Sequence, residues 1–180
     1  MTGELHSDVC LEVARKRTTS LWFEELQNAY QALEYAEGLL ADIAIWRPLA
    51  EGAVQDHYRR YENVEYRIDQ NYRKFLACYR KASQPTYLRE LQEMVENRYV
   101  NGFLTPHAQS WQAKVDAMDE WGIEGVPSQR KFFERKVLPY LDQTRRKKLC
   151  VVVSDALRYE VAEELKRRLN AENMYDAELE

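Results

Sequence analysis

Residues that form turns are scarce in this sequence, which has only 6 glycines and 5 prolines in 180 residues. Hairpins and short strands need frequent turn residues, so a many-stranded sheet is disfavoured and helices should dominate. Cysteine is also rare: Cys10, Cys78 and Cys150 are odd in number and far apart, which argues against a disulfide framework and a metal knuckle. We therefore expect a mainly α protein that works in a reducing cytoplasm.

Long apolar runs and a large net charge are both absent. No run approaches the ~18 to 20 apolar residues that a membrane span requires, and Met1-Thr2-Gly3-Glu4 does not open like an export signal. With 26 basic and 30 acidic residues the formal charge is -4, which gives no global attraction for polyanions. We expect a soluble protein without membrane contact, in which any nucleic-acid binding depends on a local basic patch.

What the sequence does contain is a helical pattern, because apolar residues recur every three or four positions along most of the chain. The pattern predicts helices over residues 5–15, 21–45, 51–82, 88–103, 107–121 and 128–137, with a loop at 122–127. Arg47-Pro48 and Ser83-Gln84-Pro85 should end helices, and Thr105-Pro106 should stop or kink one, because proline disrupts a helix interior. These elements predict a bundle of about five helices.

The last part of the chain changes character. Leu149 to Val153 is a continuous apolar run rich in β-branched residues, and a helical pattern over 157–169 follows the turn at Ser154-Asp155. This order predicts a strand, a turn and a helix. A strand that is apolar on both faces belongs inside a parallel sheet, and no second strand is predicted, so its partners should lie beyond Glu180.

Asp155 is the candidate site residue, because side chains at the carboxyl end of such a strand face the crevice where α/β proteins do their chemistry. A carboxylate there is a good ligand for a divalent metal and an equally good N-cap for the following helix, and spacing alone favours the cap. Arg158 could contact a phosphate or pair with a carboxylate such as Glu163. Glu160 suits the first turn of a helix because it is acidic.

The run from Lys148 to Leu165 (KLCVVVSDALRYEVAEEL) resembles the opening motif of the PglZ domain of BREX phage-defence systems, a domain similar to the alkaline-phosphatase superfamily. Upstream, YRKF at Tyr72–Phe75, VENRY at Val95–Tyr99 and QRKFF at Gln129–Phe133 resemble the region that precedes this domain. The resemblance extends from about Trp22 onward and so covers most of the chain.

The resemblance implies two parts: a helical region over residues 1–146, and over 147–180 the start of a truncated α/β phosphatase-like domain. In the superfamily the aspartate after the first strand binds a divalent metal, so the resemblance gives Asp155 that role, with zinc as the expected ion and Arg158 as a candidate phosphate contact. The full-length protein would then be a metal-dependent phosphohydrolase, a phosphatase or phosphodiesterase, of bacterial phage defence.

Such a site needs more groups than this sequence holds. Two metals clamp the attacking and leaving oxygens, and a hydroxyl or an activated water attacks. After Asp155 there is no histidine, Asp176 is the only further aspartate, and no serine or threonine follows Ser154. One carboxylate cannot hold an ion against hydration, so we expect this fragment to bind none stably and to be inactive alone.

The resemblance also implies other BREX proteins as partners, with DNA as a further candidate, and an unpaired strand near the carboxyl end predicts self-association. Two alternatives stay open. One is a helical protein-interaction module in which Asp155 only caps a helix. The other is a nucleic-acid-binding helix over 58–81, whose tyrosines and arginines would stack bases and neutralise phosphates. Helical spacing instead favours the aromatics as core, with Glu62, Glu65 and Asp69 on a solvated face.

Histidine is the remaining rare residue type with ligand chemistry. His6, His57 and His107 are scattered and show neither the HxxxH nor the HExxH spacing that marks a metal-binding pair on one helix. We therefore expect them at surface or capping positions.

Overall fold

Three long helical segments form the core of the protein, whose computed structural model describes residues 12, 16, 23–82, 85–143, 148–173 and 175–179. The first segment is α1 (Phe23–Ile45). The second runs through α2 (Val54–Arg60), a π-helical turn π1 (Tyr61–Glu65) and α3 (Tyr66–Lys81). The third runs through α4 (Arg89–Tyr99), a second π-turn π2 (Val100–Leu104) and α5 (Thr105–Asp116). The predicted mainly α fold class is confirmed.

Shorter elements complete the described part of the chain. One 3₁₀ turn (Pro85–Leu88) leads into α4, and another (Gln129–Lys131) is followed by π3 (Phe133–Val137) and α6 (Leu138–Gln143). The last helix is α7 (Tyr159–Ala171). The helix predicted over 5–15 falls almost entirely outside the described residues. A search of the described helices finds no candidate for a membrane span.

Helix α1 packs along α3 through a narrow stripe of buried side chains. The stripe repeats every three or four residues, as an amphipathic helix requires, and consists of Ala32, Ala36, Leu39 and Ile43. Its small alanines let the two helices approach closely, and a Cβ added at Gly38 would lie 3.2 Å from Asn71 Nδ2. Phe75 of α3 is fully buried in the same core. The predicted apolar face of α1 is thus confirmed, although Ile45 at its end is 80% exposed.

The proline at position 106 does not end the third segment. Pro106 has no N–H to donate to the carbonyl of Gly102, and its ring crowds that carbonyl. The wider turn π2 directly precedes it and takes up this defect, so the helix continues as α5. The predicted break at Thr105-Pro106 is therefore a π-turn inside a continuing helix.

The segment predicted as a strand, Leu149–Val153, is irregular, and none of the described residues forms a strand. Val152 and Val153 are 84% and 85% exposed. A strand is defined by backbone hydrogen bonds to a neighbour, and no neighbouring strand exists in the described ranges, so the β-branched run has nothing to pair with. The helix predicted after this segment is confirmed as α7.

Candidate functional site

A stripe of charged side chains runs along one face of the π1–α3 helix. Glu65, Asp69 and Arg73 follow one another at four-residue spacing, which places them on the same face. Glu65 and Asp69 are 2% and 6% exposed, so the prediction of a solvated face was wrong for both. The face is buried because α5 and α7 cover it and supply partners for its charges.

Asp69 joins three separate parts of the fold. Its carboxylate accepts hydrogen bonds from the hydroxyls of Tyr61 and Tyr99, each at 2.6 Å, and lies 3.2 Å from Nη2 of Arg158. Burial and the adjacent carboxylate raise the pKa of both tyrosines, so their hydroxyls stay protonated and act as donors. Burial alone would lower the pKa of Arg158, but Asp69 raises it, so this side chain stays charged.

Arg73 meets two acidic residues of α7. It donates a hydrogen bond to Glu164, which also accepts one from Arg168 at 2.5 Å. Its Nε lies 3.5 Å from Oε1 of Glu160, a side chain with no exposed surface. Burial alone would raise the pKa of Glu164, but Arg73, Arg168 and the charge of Lys74 lower it to about 2. These ion pairs dock α7 on α3.

Two hydrogen bonds to backbone carbonyls fix the first turn of α7. Gln70 Nε2 donates to the carbonyl oxygen of Glu160 at 3.1 Å, and the Tyr159 hydroxyl donates to that of Glu62 at 3.2 Å. Glu160 does lie in the first turn, as predicted, but it is buried and faces Arg73 and Arg158. The helix after the SDALRYE motif is therefore held firmly by the helical region.

Asp155 lies in a turn, four residues before Tyr159, the first residue of this docked helix. The N-cap of α7 is Arg158, so Asp155 does not cap the helix, contrary to the alternative that spacing favoured. Its carboxylate is exposed and has no hydrogen-bond or ion-pair partner among the described residues. The next residue, Ala156, has φ of 57°, a left-handed conformation that is uncommon without glycine and concentrates at functional sites.

The surroundings of Asp155 are basic as well as apolar. Asp155 lines an open cleft of about 870 Å³ to which Lys131 and Arg135 also contribute. Arg158 is turned away toward Asp69 and Glu160, and its predicted role as a phosphate contact stays a prediction. The pairing considered for Arg158 with Glu163 does not occur, since Glu163 pairs with Lys166.

The structure also brings together residues that the sequence did not connect. His57 of α2, Glu65 of π1 and His107 of α5 each present one ligand-type atom within 4.8 Å of the other two. His57 is 2% exposed, so the expected surface or capping position was wrong for this residue. His6 lies outside the described residues. For His107 the sequence did contain a signal of an inward-facing position, because this residue continues the buried positions Val95, Tyr99 and Phe103 at four-residue steps.

Comparison with known proteins places these observations in a family. Residues 132–180 match the family model of the BREX system PglZ alkaline phosphatase-like domain. The alkaline phosphatase-like protein PglZ of Bacillus cereus (strain H3081.97) is 33% identical over 165 residues, which cover 90% of this chain and 19% of that relative. The chain belongs to the PglZ family.

A second relative from the PglZ family also matches most of this chain. The alkaline phosphatase-like protein BrxZ of Escherichia coli O9:H4 (strain HS) is 36% identical over 129 residues, or 68% of this chain and 15% of that relative. The chain thus spans less than a fifth of the length of these two PglZ-family proteins. No solved structure matches it significantly.

The basic face proposed for nucleic-acid binding in this PglZ-family chain is broken. Its expected arginines are Arg59, Arg60, Arg67 and Arg73. Of these, Arg60 lies 2.9 Å from Oε1 of Glu65, and Arg73 pairs with α7. Both charges are therefore directed at internal carboxylates, which leaves Arg59 and Arg67 to face solvent. Such acidic interruptions weaken the case for this helix as a nucleic-acid surface.

Acid should release the docked helix of this PglZ-family chain. Because the folded-state pKa of Glu164 is about 2, below its usual 4.5, its stabilising effect is full above pH 4.5 and declines as the pH falls toward 2. Because Arg73 and Arg168 keep contact with solvent, we expect a loss of about 1–2 kcal/mol. Urea unfolding at pH 7, 4 and 3 should show this loss, and Glu164→Gln should flatten it. Glu163→Gln, on the same helix but paired near the surface, should keep the wild-type slope.

Proposed function

We propose that this chain carries the helical region and the first metal-ligand motif of a metal-dependent phosphohydrolase of phage defence. The observation that carries the proposal is the position of Asp155, whose exposed carboxylate neither caps a helix nor pairs with a described residue. Carboxylate oxygen is a suitable ligand for a divalent cation. In two-metal phosphoryl-transfer sites such ions stabilise the attacking and leaving oxygens.

The cleft beside Asp155 supports an anionic substrate. Lys131 and Arg135 line it, and basic side chains favour the binding of a phosphoester. Asp155 fits as one ligand but belongs to no group of three ligand-type residues in the described part of the chain. Zinc is the ion we propose, and its other ligands, together with the nucleophile, would come from outside these 180 residues.

We propose that the division of labour follows the predicted boundary, with residues 1–146 as a platform and 147–180 as the opening strand, turn and helix of the phosphatase-like domain. The ion pairs of Arg73 with α7 support this platform role, because they fix the helix that follows Asp155. The exposed Val152 and Val153 support pairing with further strands of the domain. Other BREX components are the proposed partners, since the matching family model describes a domain of the BREX system.

Hydrolysis assays test the role of Asp155. A phosphomonoester and a phosphodiester are offered with zinc, manganese or magnesium to the 180-residue chain and to a version extended through the whole phosphatase-like domain. We expect activity in the extended protein alone, and a loss of at least about 100-fold in Asp155→Ala. Asp176→Ala, which removes the other exposed aspartate of this region, should keep the wild-type rate.

Two outcomes would count against the proposal. In the first, the 180-residue chain hydrolyses the substrates itself and keeps this activity with chelator and in Asp155→Ala. That result would show that the reaction does not depend on Asp155 or on a metal. An extended protein that is folded but inactive with every metal would favour the second candidate, a protein-interaction module. The exposed valines before Asp155 are the feature that favours that candidate, because exposed apolar segments mark interaction sites.

A further inference from the structure

Three helical elements bring His57, Glu65 and His107 to one point in the helical region. The imidazole rings of the two histidines lie edge to face, with centroids 4.9 Å apart. One ligand-type atom from each of the three residues lies within 4.8 Å of the other two. Glu65 and His57 are both 2% exposed, so water does not solvate these polar groups freely.

Each residue holds a buried polar atom that no hydrogen bond satisfies. These atoms are Nδ1 of His57, Oε2 of Glu65 and Nε2 of His107. Leaving one buried polar group unpaired costs about 1–3 kcal/mol, and native proteins rarely do so without a reason. A bound cation would satisfy a cluster of three such atoms, since all of them are good metal ligands.

The hydrogen bonds of His57 leave its free nitrogen ready to bind a cation. The Ser110 hydroxyl donates its single hydrogen to the carbonyl oxygen of Leu49 at 2.9 Å, so toward His57 it can only accept. Nε2 of His57, 3.2 Å from that hydroxyl, must then carry the ring hydrogen. Nδ1 of the neutral ring therefore keeps its lone pair, as second-layer partners of metal-binding histidines commonly ensure.

Glu65 is held in the same manner. Its Oε1 accepts a hydrogen bond from Trp46 Nε1 at 2.5 Å and lies 2.9 Å from Nε of Arg60. Its Oε2 is 3.2 Å from Nε2 of His107, but the two atoms are not aligned as a hydrogen bond. Two ligands about 2.0 Å from a tetrahedral zinc lie about 3.3 Å apart, which is close to this separation.

We propose that His57, Glu65 and His107 bind one divalent transition-metal ion of the zinc class, with a water in the fourth position. Two imidazoles and one carboxylate suit such an ion, whereas magnesium and calcium prefer oxygen ligands throughout. The site is separate from Asp155, and its existence does not depend on the proposed phosphohydrolase activity. The ion joins α2, π1 and α5, and so stabilises the platform that holds α7.

Metal titration of the chelator-stripped 180-residue chain tests the proposal. Cobalt should bind once per chain with the visible absorption of a four-coordinate nitrogen and oxygen site, and zinc should displace it and raise the melting temperature. His107→Gln and His57→Gln should each weaken zinc binding at least about 100-fold, and Ser110→Ala about 10-fold through the orientation of His57. His6→Gln and Asp176→Ala should bind zinc like the wild type.

Several results would overturn the assignment. They are an absence of cobalt and zinc binding, binding that survives both His57→Gln and His107→Gln, and a thiolate-to-cobalt absorption that reports a cysteine ligand. Absence of binding would show that Arg60 and the contact with His107 are sufficient to compensate the charge of Glu65. Circular dichroism checks that the variants are folded, and if His57→Gln is not, Ser110→Ala and the wild-type cobalt spectrum decide.

Discussion

Replacing Arg73 with alanine should weaken the docking of α7 on the helical region by about 1–3 kcal/mol. The reason is that Glu160 has no exposed surface and Glu164 is 6% exposed, so both lose their shared cation while they remain buried, although Arg158 and Arg168 still offset part of their charge. Native-state hydrogen exchange should show lost protection over Tyr159–Ala171 and retained protection in α1, because the damage is local.

Two further variants test whether the effect of Arg73→Ala comes from its ion pairs. Arg89→Ala removes an exposed arginine of α4 and should change protection by no more than about 0.5 kcal/mol. Adding Glu164→Gln to Arg73→Ala should restore part of the protection, since one buried charge disappears with its partner. If Arg73→Ala leaves α7 as protected as in the wild type, the proposed docking by ion pairs is wrong.

Phe75→Ala should destabilise the whole helical region by about 3–5 kcal/mol. Phe75 has no exposed surface and lies where α3 packs on α1, with its ring stacked near that of Tyr79 at a centroid distance of 6.1 Å. Truncation leaves a cavity between α1 and α3, because the two helices cannot move close enough together to fill it. Urea unfolding followed by far-ultraviolet circular dichroism measures the loss.

A second phenylalanine provides the comparison for that cavity. Phe133→Ala removes the same atoms from a side chain that is 57% exposed, so we expect a change within about 0.5 kcal/mol. Equal effects of the two substitutions would show that Phe75 is not a core residue in solution. A large effect confined to Phe75 would support the packing of α1 on α3.

Helices were predictable because their signal is local. The three-to-four spacing around Ile43 or around Phe75 belongs to a single helix, and the buried faces of α1 and α3 were found where the pattern placed them. In α7 the pattern was wrong, because Leu165 is 49% exposed and Glu164 is buried instead. The strand at Leu149–Val153 was not formed, because strand hydrogen bonds need a neighbour that a one-segment pattern cannot supply. A local pattern is therefore enough to predict a helix, whereas a strand also requires a neighbouring strand.

The buried polar residues were harder to anticipate. His57 and His107 are fifty positions apart on different helices, so no spacing rule for one helix could join them. Glu65 and Asp69 looked solvated because acidic residues usually are, and only the packing of α5 and α7 over them shows otherwise. Asp155 was found by its place after an apolar run, and the structure adds that it does not cap the helix.

The π-turn π1 makes the number of residues in its helical segment a determinant of this fold. A π-turn closes its hydrogen bonds over one residue more than an α-turn, so Tyr61–Glu65 amounts to a single inserted residue. Deleting one residue there would rotate the rest of the helix by about 100° and carry Asp69 and Arg73 off the face that meets Tyr99 and Glu164. Homologous chains should therefore vary in length at loops such as 122–127 and keep a constant number of residues between His57 and Arg73.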